Sequence, residues 1–122
     1  MSDLDYNFFV HELSITESIL ATAIKYAQKE KAHKVTDINL VIGDLSSIVD
    51  DSVQFYWEII SKGTICENSY LHFQRIPATV FCQDCQNNYQ LEHELIPCPQ
   101  CSGTNIKILS GDDFKMESIE IQ

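Results

Sequence analysis

Cys82-Gln83-Asp84-Cys85 and, after twelve intervening residues, Cys98-Pro99-Gln100-Cys101 hold four of the five cysteines of this 122-residue chain. A Cys-x-x-Cys spacing lets both thiolates of a pair reach one ion from a single tight turn. Two such turns facing each other complete a tetrahedron of sulfur, the coordination that structural Zn²⁺ prefers. The gap between the pairs is slightly short, yet it suits a small two-knuckle ribbon. Pro99 stiffens the second knuckle, and Gly103 is expected to take a positive φ that most residues resist. Cys82, Cys85, Cys98 and Cys101 are therefore the candidate metal ligands. Two disulfides would need an oxidising compartment, to which nothing else in the sequence points. A redox Cys-x-x-Cys needs only one pair, placed at a helix start. Iron fits the same four sulfurs, as in a rubredoxin, so the spacing defines the site more sharply than the metal.

A chain of this length holds one modest core, or a core with a metal-stapled lobe. No run approaches the roughly 18 apolar residues of a membrane span. The first residues, Met1-Ser2-Asp3-Leu4-Asp5, are acidic and lack the basic flank of a signal peptide, so a cytoplasmic location is expected. The net charge of −10, with only eight Lys plus Arg, argues against nucleic acid as a partner. A duplex binder needs a basic face to displace counterions from phosphate.

Ser14 and Glu17 form a capping-box pattern, so a helix is expected to begin there. Ile15, Ile19, Leu20, Ala23, Ile24 and Ala27 then recur at helical spacing. From Val35 to Ile42 the period changes to two, a half-buried strand with Ile38, Leu40 and Ile42 on one face, stopped by Gly43. Asp50 or Ser52 is the expected cap of a second helix that buries Val53, Tyr56, Trp57 and Ile60, with Gly63 at its end. Tyr70 to Ile76 alternates again and Pro77 closes it. Gly111-Asp112-Asp113 turns the chain into a last strand, Phe114 to Ile121. The pattern predicts an α+β fold: a small sheet with two helices, plus a zinc-ribbon lobe. The expected divisions are an N-terminal extension at 1–9, an α+β domain at 10–77 and 112–122, and the lobe at 78–111.

His11-Glu12-Leu13-Ser14 through Glu17-Ser18-Ile19-Leu20, then Gly43-Asp44-Leu45-Ser46, then the two cysteine pairs, resembles the HypA family of hydrogenase nickel-incorporation proteins. The likeness runs in order from His11 to Ile121. It implies a non-enzymatic nickel metallochaperone with structural Zn²⁺ on the four cysteines and transferred Ni²⁺ at His11. Members of that family begin with Met-His-Glu and chelate nickel through that terminus. A terminal amine, backbone nitrogens and an imidazole make the square plane a d⁸ ion favours. The resemblance carries His11 over as the imidazole ligand and Glu12 as the adjoining nitrogen and carboxylate, with Val10 and Asp50 as secondary candidates. Implied partners are a nickel-delivery GTPase of hydrogenase maturation and the [NiFe]-hydrogenase large-subunit precursor, with urease accessory proteins in some members.

One departure matters: Val10 stands where the family has its initiator methionine, with nine residues before it. The expectation is that translation begins at position 10, where a valine codon is read as methionine. The alternative is a real extension that alters the site and recruits Asp3 or Asp5. Two rival readings stay open, a zinc-ribbon protein-interaction module and a rubredoxin-like iron carrier. No nucleophile–base pair, phosphate loop or open metal triad is recognisable, so no catalytic residue is assigned. Cys66 reads as a small buried or surface thiol, Trp57 as core, His33 as a helix-end residue. His93 reads as a loop residue between the knuckles that either tunes metal response or is merely exposed.

Overall fold

The computed structural model describes residues 3–91 and 94–122, with side chains described for 11–91 and 94–122. Its elements follow the predicted order: α1 (Asp3–Lys29), β1 (Val35–Gly43), α2 (Asp50–Ile60), β2 (Tyr70–Ile76), β3 (Ala78–Cys82), β4 (Asn88–Leu91), β5 (Ile106–Ser110) and β6 (Phe114–Ile121). The strands make two three-stranded sheets, ordered β2-β1-β6 and β4-β3-β5. The chain divides into two compact units. The first is Met1–Leu40, Ile48–Phe73 and Met116–Gln122; the second is Val41–Ser47 and Gln74–Lys115.

α1 departs from expectation at its start. It begins at Asp3, so Ser14 lies exposed in mid-helix and caps nothing. The residues before Ser14 carry no apolar period, so the sequence pattern alone does not announce this start. The buried stripe runs Glu12, Thr16, Ile19, Ala23, Ala27. Ile15, Leu20 and Ile24 are only half-buried. At the other end Lys31 takes φ 54°, Ala32 N–H bonds Ala27 O and Lys31 N–H bonds Gln28 O. This is a Schellman closure with lysine in the place glycine usually fills.

β1 supplies the centre of its sheet. Ile38 and Ile42 are fully buried and Leu40 nearly so, as the alternation predicts. Lys34 and Gln122 exchange both backbone bonds, so β6 runs antiparallel to β1. Val35 N–H bonds Ile65 O ahead of β2, and Asp44 N–H bonds Ile76 O at its end, so β2 runs parallel to β1. A parallel pair needs a crossover, which α2 provides. Val49, not Asp50 or Ser52, is the N-cap of α2 and offers no side-chain bond; Asp50 and Asp51 fill the first turn instead. Val53 and Trp57 are its buried residues, and the Trp57 indole N–H donates to Ser69 Oγ at 3.2 Å. α1 and α2 are in contact within the first unit.

In the second unit β3 is the central strand, antiparallel to β4 and β5. Its buried side chains Ala78 and Val80 meet Leu91, with Leu45, Tyr89 and Ile106 packed around them. That is a small core. The knuckles lie beyond it, one between β3 and β4 and the other between β4 and β5.

Candidate metal centres

Each knuckle is built by the same set of backbone bonds, sixteen residues apart. Cys82 N–H donates to Asn87 O and Gln86 N–H to Cys82 O; Cys98 N–H donates to Gly103 O and Ser102 N–H to Cys98 O. Gln86 (φ 63°) and Ser102 (φ 60°) close the two turns in the left-handed region. The positive φ expected at Gly103 therefore sits one residue earlier, on Ser102. Gly103 is glycine for lack of space: a Cβ there would lie 2.6 Å from Asp84 Oδ2 and 3.1 Å from Cys101 Sγ.

These turns bring the four sulfurs of Cys82, Cys85, Cys98 and Cys101 within 4.8 Å of one another. Across the knuckles, Cys82–Cys101 and Cys85–Cys98 each lie 3.6 Å apart. A bonded disulfide would be about 2.05 Å, and all five cysteines are free. A tetrahedron with Zn–S bonds near 2.3 Å has edges of roughly 3.8 Å. The donor set and its spacing fit a structural metal such as zinc. Hydrogen bonds to sulfur are already in place: Gly103 N–H lies 3.4 Å from Cys101 Sγ, and Asn87 Nδ2 lies 3.8 Å from Cys98 Sγ.

Electrostatics divide the four thiols. Burial pushes Cys85 up to about 12, and its sulfur neighbours Cys101, Cys98 and Cys82 add to the rise. Burial also acts upward on Cys98, but hydrogen bonds from the Cys101 and Gln100 N–H groups and from the Cys85 and Asn87 side chains outweigh it, leaving it near 6. Hydrogen bonding thus favours the thiolate form at Cys98, while burial disfavours it at Cys85. Cys66 belongs elsewhere: it is fully buried in the first unit, and desolvation raises it to about 11.

The second candidate centre lies on α1. His11 is exposed, while Glu12, its neighbour, is completely buried, and among the described residues neither of its carboxylate oxygens has a hydrogen-bond partner. Thr16 Oγ1 donates to the Glu12 carbonyl at 2.7 Å and does not reach its carboxylate. A buried carboxylate with no donor is costly unless a cation or proton compensates it. Sequence reasoning read Glu12 as flanking His11 and missed its burial, because an apolar-period search ignores a charged residue. Val10, His11 and Glu12 are all helical. Their N–H groups are therefore directed at the carbonyls four residues back, not toward solvent. The side chains of Val10, Asp3 and Asp5 lie outside the described residues, as does His93. Asp50 opens α2.

A family model described as hydrogenase/urease nickel incorporation, metallochaperone, HypA, matches residues 10–121. A hydrogenase maturation factor HypA from Dehalococcoides mccartyi is 43% identical over 112 residues, covering 92% of this chain and 94% of its own. One from Caldanaerobacter subterraneus subsp. tengcongensis is 35% identical, covering 93% and 100%. Two solution structures share the fold at 23% identity. One, a HypA protein, has a TM-score of 0.70 and covers 93% of this chain and 97% of its own. The other, the Ni metallochaperone HypA of Helicobacter pylori, has a TM-score of 0.64 and covers 90% and 96%.

Proposed function

Since the chain belongs to the HypA family of hydrogenase and urease nickel-incorporation metallochaperones, we propose that it binds Ni²⁺ at His11 and hands it to the [NiFe]-hydrogenase large-subunit precursor. A nickel-delivery GTPase is the cooperating partner, and urease accessory proteins are a second outlet. In this reading residues 10–77 and 112–122 are the nickel-binding domain. The 78–111 lobe is a structural zinc ribbon held by Cys82, Cys85, Cys98 and Cys101.

The observation that carries the nickel site is the Glu12 carboxylate, buried without a donor among the described residues, beside the exposed His11 imidazole. The imidazole is the ligand that reaches solvent and captures the ion. The Glu12 charge is the one the ion neutralises. Val10 contributes its backbone nitrogen, and Asp50 is the secondary carboxylate. A square-planar chelate through backbone nitrogens requires the first turns of α1 to open, because a helical N–H is already committed. Loading nickel then works against helix, and release is assisted by helix re-forming or by protonation of the imidazole. The zinc site does not exchange in this way, because four sulfurs close its coordination sphere.

Metal analysis of protein purified without chelators, before and after nickel titration, tests the proposal. One zinc per chain throughout, with one further nickel taken up on titration, is expected. Iron at the four sulfurs with a red colour, or no specific nickel uptake, overturns it.

A further inference from the structure

The outer edge of β6 borders a groove lined by residues of α1 and β6. β6 is the last strand in the order β2-β1-β6, so among the described residues its far side pairs with no other strand. It is eight residues long, longer than the usual five or six. Gln122 exchanges both its backbone bonds with Lys34 of the inner neighbour. By the alternation of an antiparallel ladder, the N–H and C=O groups of Ile121, Ile119 and Glu117 point away from β1, toward the free edge. Natural edges are blunted by lysines or prolines. Here the strand has no proline, and its single lysine, Lys115, stands near one end.

Beside this edge α1 forms a wall. Tyr26 and Glu30 enclose, with Glu117, Ile119 and Ile121, a groove of about 320 Å³. Tyr26 is 53% and Ile121 39% exposed, large apolar surface left uncovered in the first unit. An unpaired row of backbone donors and acceptors next to apolar side chains is the arrangement that takes a strand from another chain. Main-chain bonds supply affinity and alternate side chains supply specificity.

Charge selects the occupant. Glu30 and Glu117 line the groove, and the chain as a whole carries −10. A second copy carries the same net charge of −10 and the same two groove carboxylates, so it does not complement this charge. We propose that the β6 edge is a docking site for an extended segment of a partner protein. On the face of that segment turned to the groove, every second residue along it, both Lys or Arg and apolar residues occur. The basic residues face the carboxylates, and the apolar ones cover Tyr26 and Ile121.

The test uses the full, zinc-loaded chain and a synthetic peptide with lysine and valine at successive same-face positions and threonine at the positions between, followed by amide NMR. A peptide identical except for N-methylation of alternate backbone nitrogens is the control, since it keeps charge and shape but cannot complete a ladder. Shifts confined to residues 116–122 and Tyr26, with slowed exchange of the Glu117 and Ile119 amides, are expected for the first peptide. The control should bind at least about tenfold more weakly, because it loses the main-chain bonds that strand addition depends on. Glu117→Pro removes one outward N–H without touching the inner ladder and should abolish the protection. Glu30→Lys, on α1 and clear of the strand, should weaken binding and reduce its salt dependence. Equal binding of both peptides, shifts centred on another surface, or concentration-dependent dimerisation through β6 would overturn the proposal. So would unchanged affinity in Glu30→Lys, which stands even if the proline variant fails to fold.

Discussion

Replacing Cys98 by alanine removes the thiol that is already ionised near neutral pH, and it should unfold the knuckles without disturbing the first unit. The magnitudes come from what else holds them. Among the described residues, the only fully buried aliphatic side chains of the lobe larger than alanine are Val80 and Leu91, each contributing about 1.5–3 kcal/mol. Both sit in or beside the sheet, not in the knuckles. The knuckles carry strain instead, since Gln86 and Ser102 are left-handed without being glycine, at about 1–2 kcal/mol each. Four-sulfur zinc binding supplies on the order of 10–16 kcal/mol, several times either quantity. Cys98→Ala should therefore lose tight zinc. Amide signals of residues 82–87 and 98–105 should collapse to the range of an unstructured chain, while the Trp57 indole N–H keeps its native shift. Zinc analysis and an amide NMR spectrum of the metal-free variant decide it. Native-like signals for Gln86 and Ser102 in that sample would refute the reasoning.

Zinc affinity should fall as pH falls, because binding displaces thiol protons. With Cys98 near 6 and Cys85 near 12, Cys98 releases no proton above pH 6 and one below it. A plot of log affinity against pH should thus steepen by about one unit of slope on going down through pH 6, measurable by competition with a chelator. Gly111→Ala should destabilise the second unit by about 2–5 kcal/mol. Gly111 has φ 96°, and a Cβ there would overlap the backbone of Ala78; the shift in denaturant midpoint reads this. A chain shortened to begin Met-His-Glu should bind nickel more tightly than the full chain and with a different absorption spectrum, since it has a free amine and fewer helical turns to open. Equal affinity and equal spectra would show that neither matters.

The parts of this fold legible in the sequence are those governed by local spacing. Cys-x-x-Cys fixes its own turn, and the period-two runs at Val35–Ile42 and Tyr70–Ile76 became β1 and β2. The start of α1 was not legible, because Ser14 and Glu17 make the same pattern at a helix start and inside one, and the residues before them lack an apolar period. Nor was the burial of Glu12 and Thr16, since pattern reading assigns polar residues to solvent. The left-handed turns at Gln86 and Ser102 were obscured by Gly103, whose role is clearance for Asp84 and Cys101. The sixteen-residue repeat of the knuckles, cysteine on cysteine, is the signal that would have revealed them. The β6 edge depends on which strands pair, which no single stretch of sequence encodes.

The central claim is that nickel is held at His11. Calorimetric nickel titration of the wild-type chain and of His11→Ala, each with zinc content determined alongside, tests it most directly. The account predicts specific nickel binding in the first, none in the second, and one zinc per chain in both. Nickel affinity unchanged by His11→Ala would contradict it.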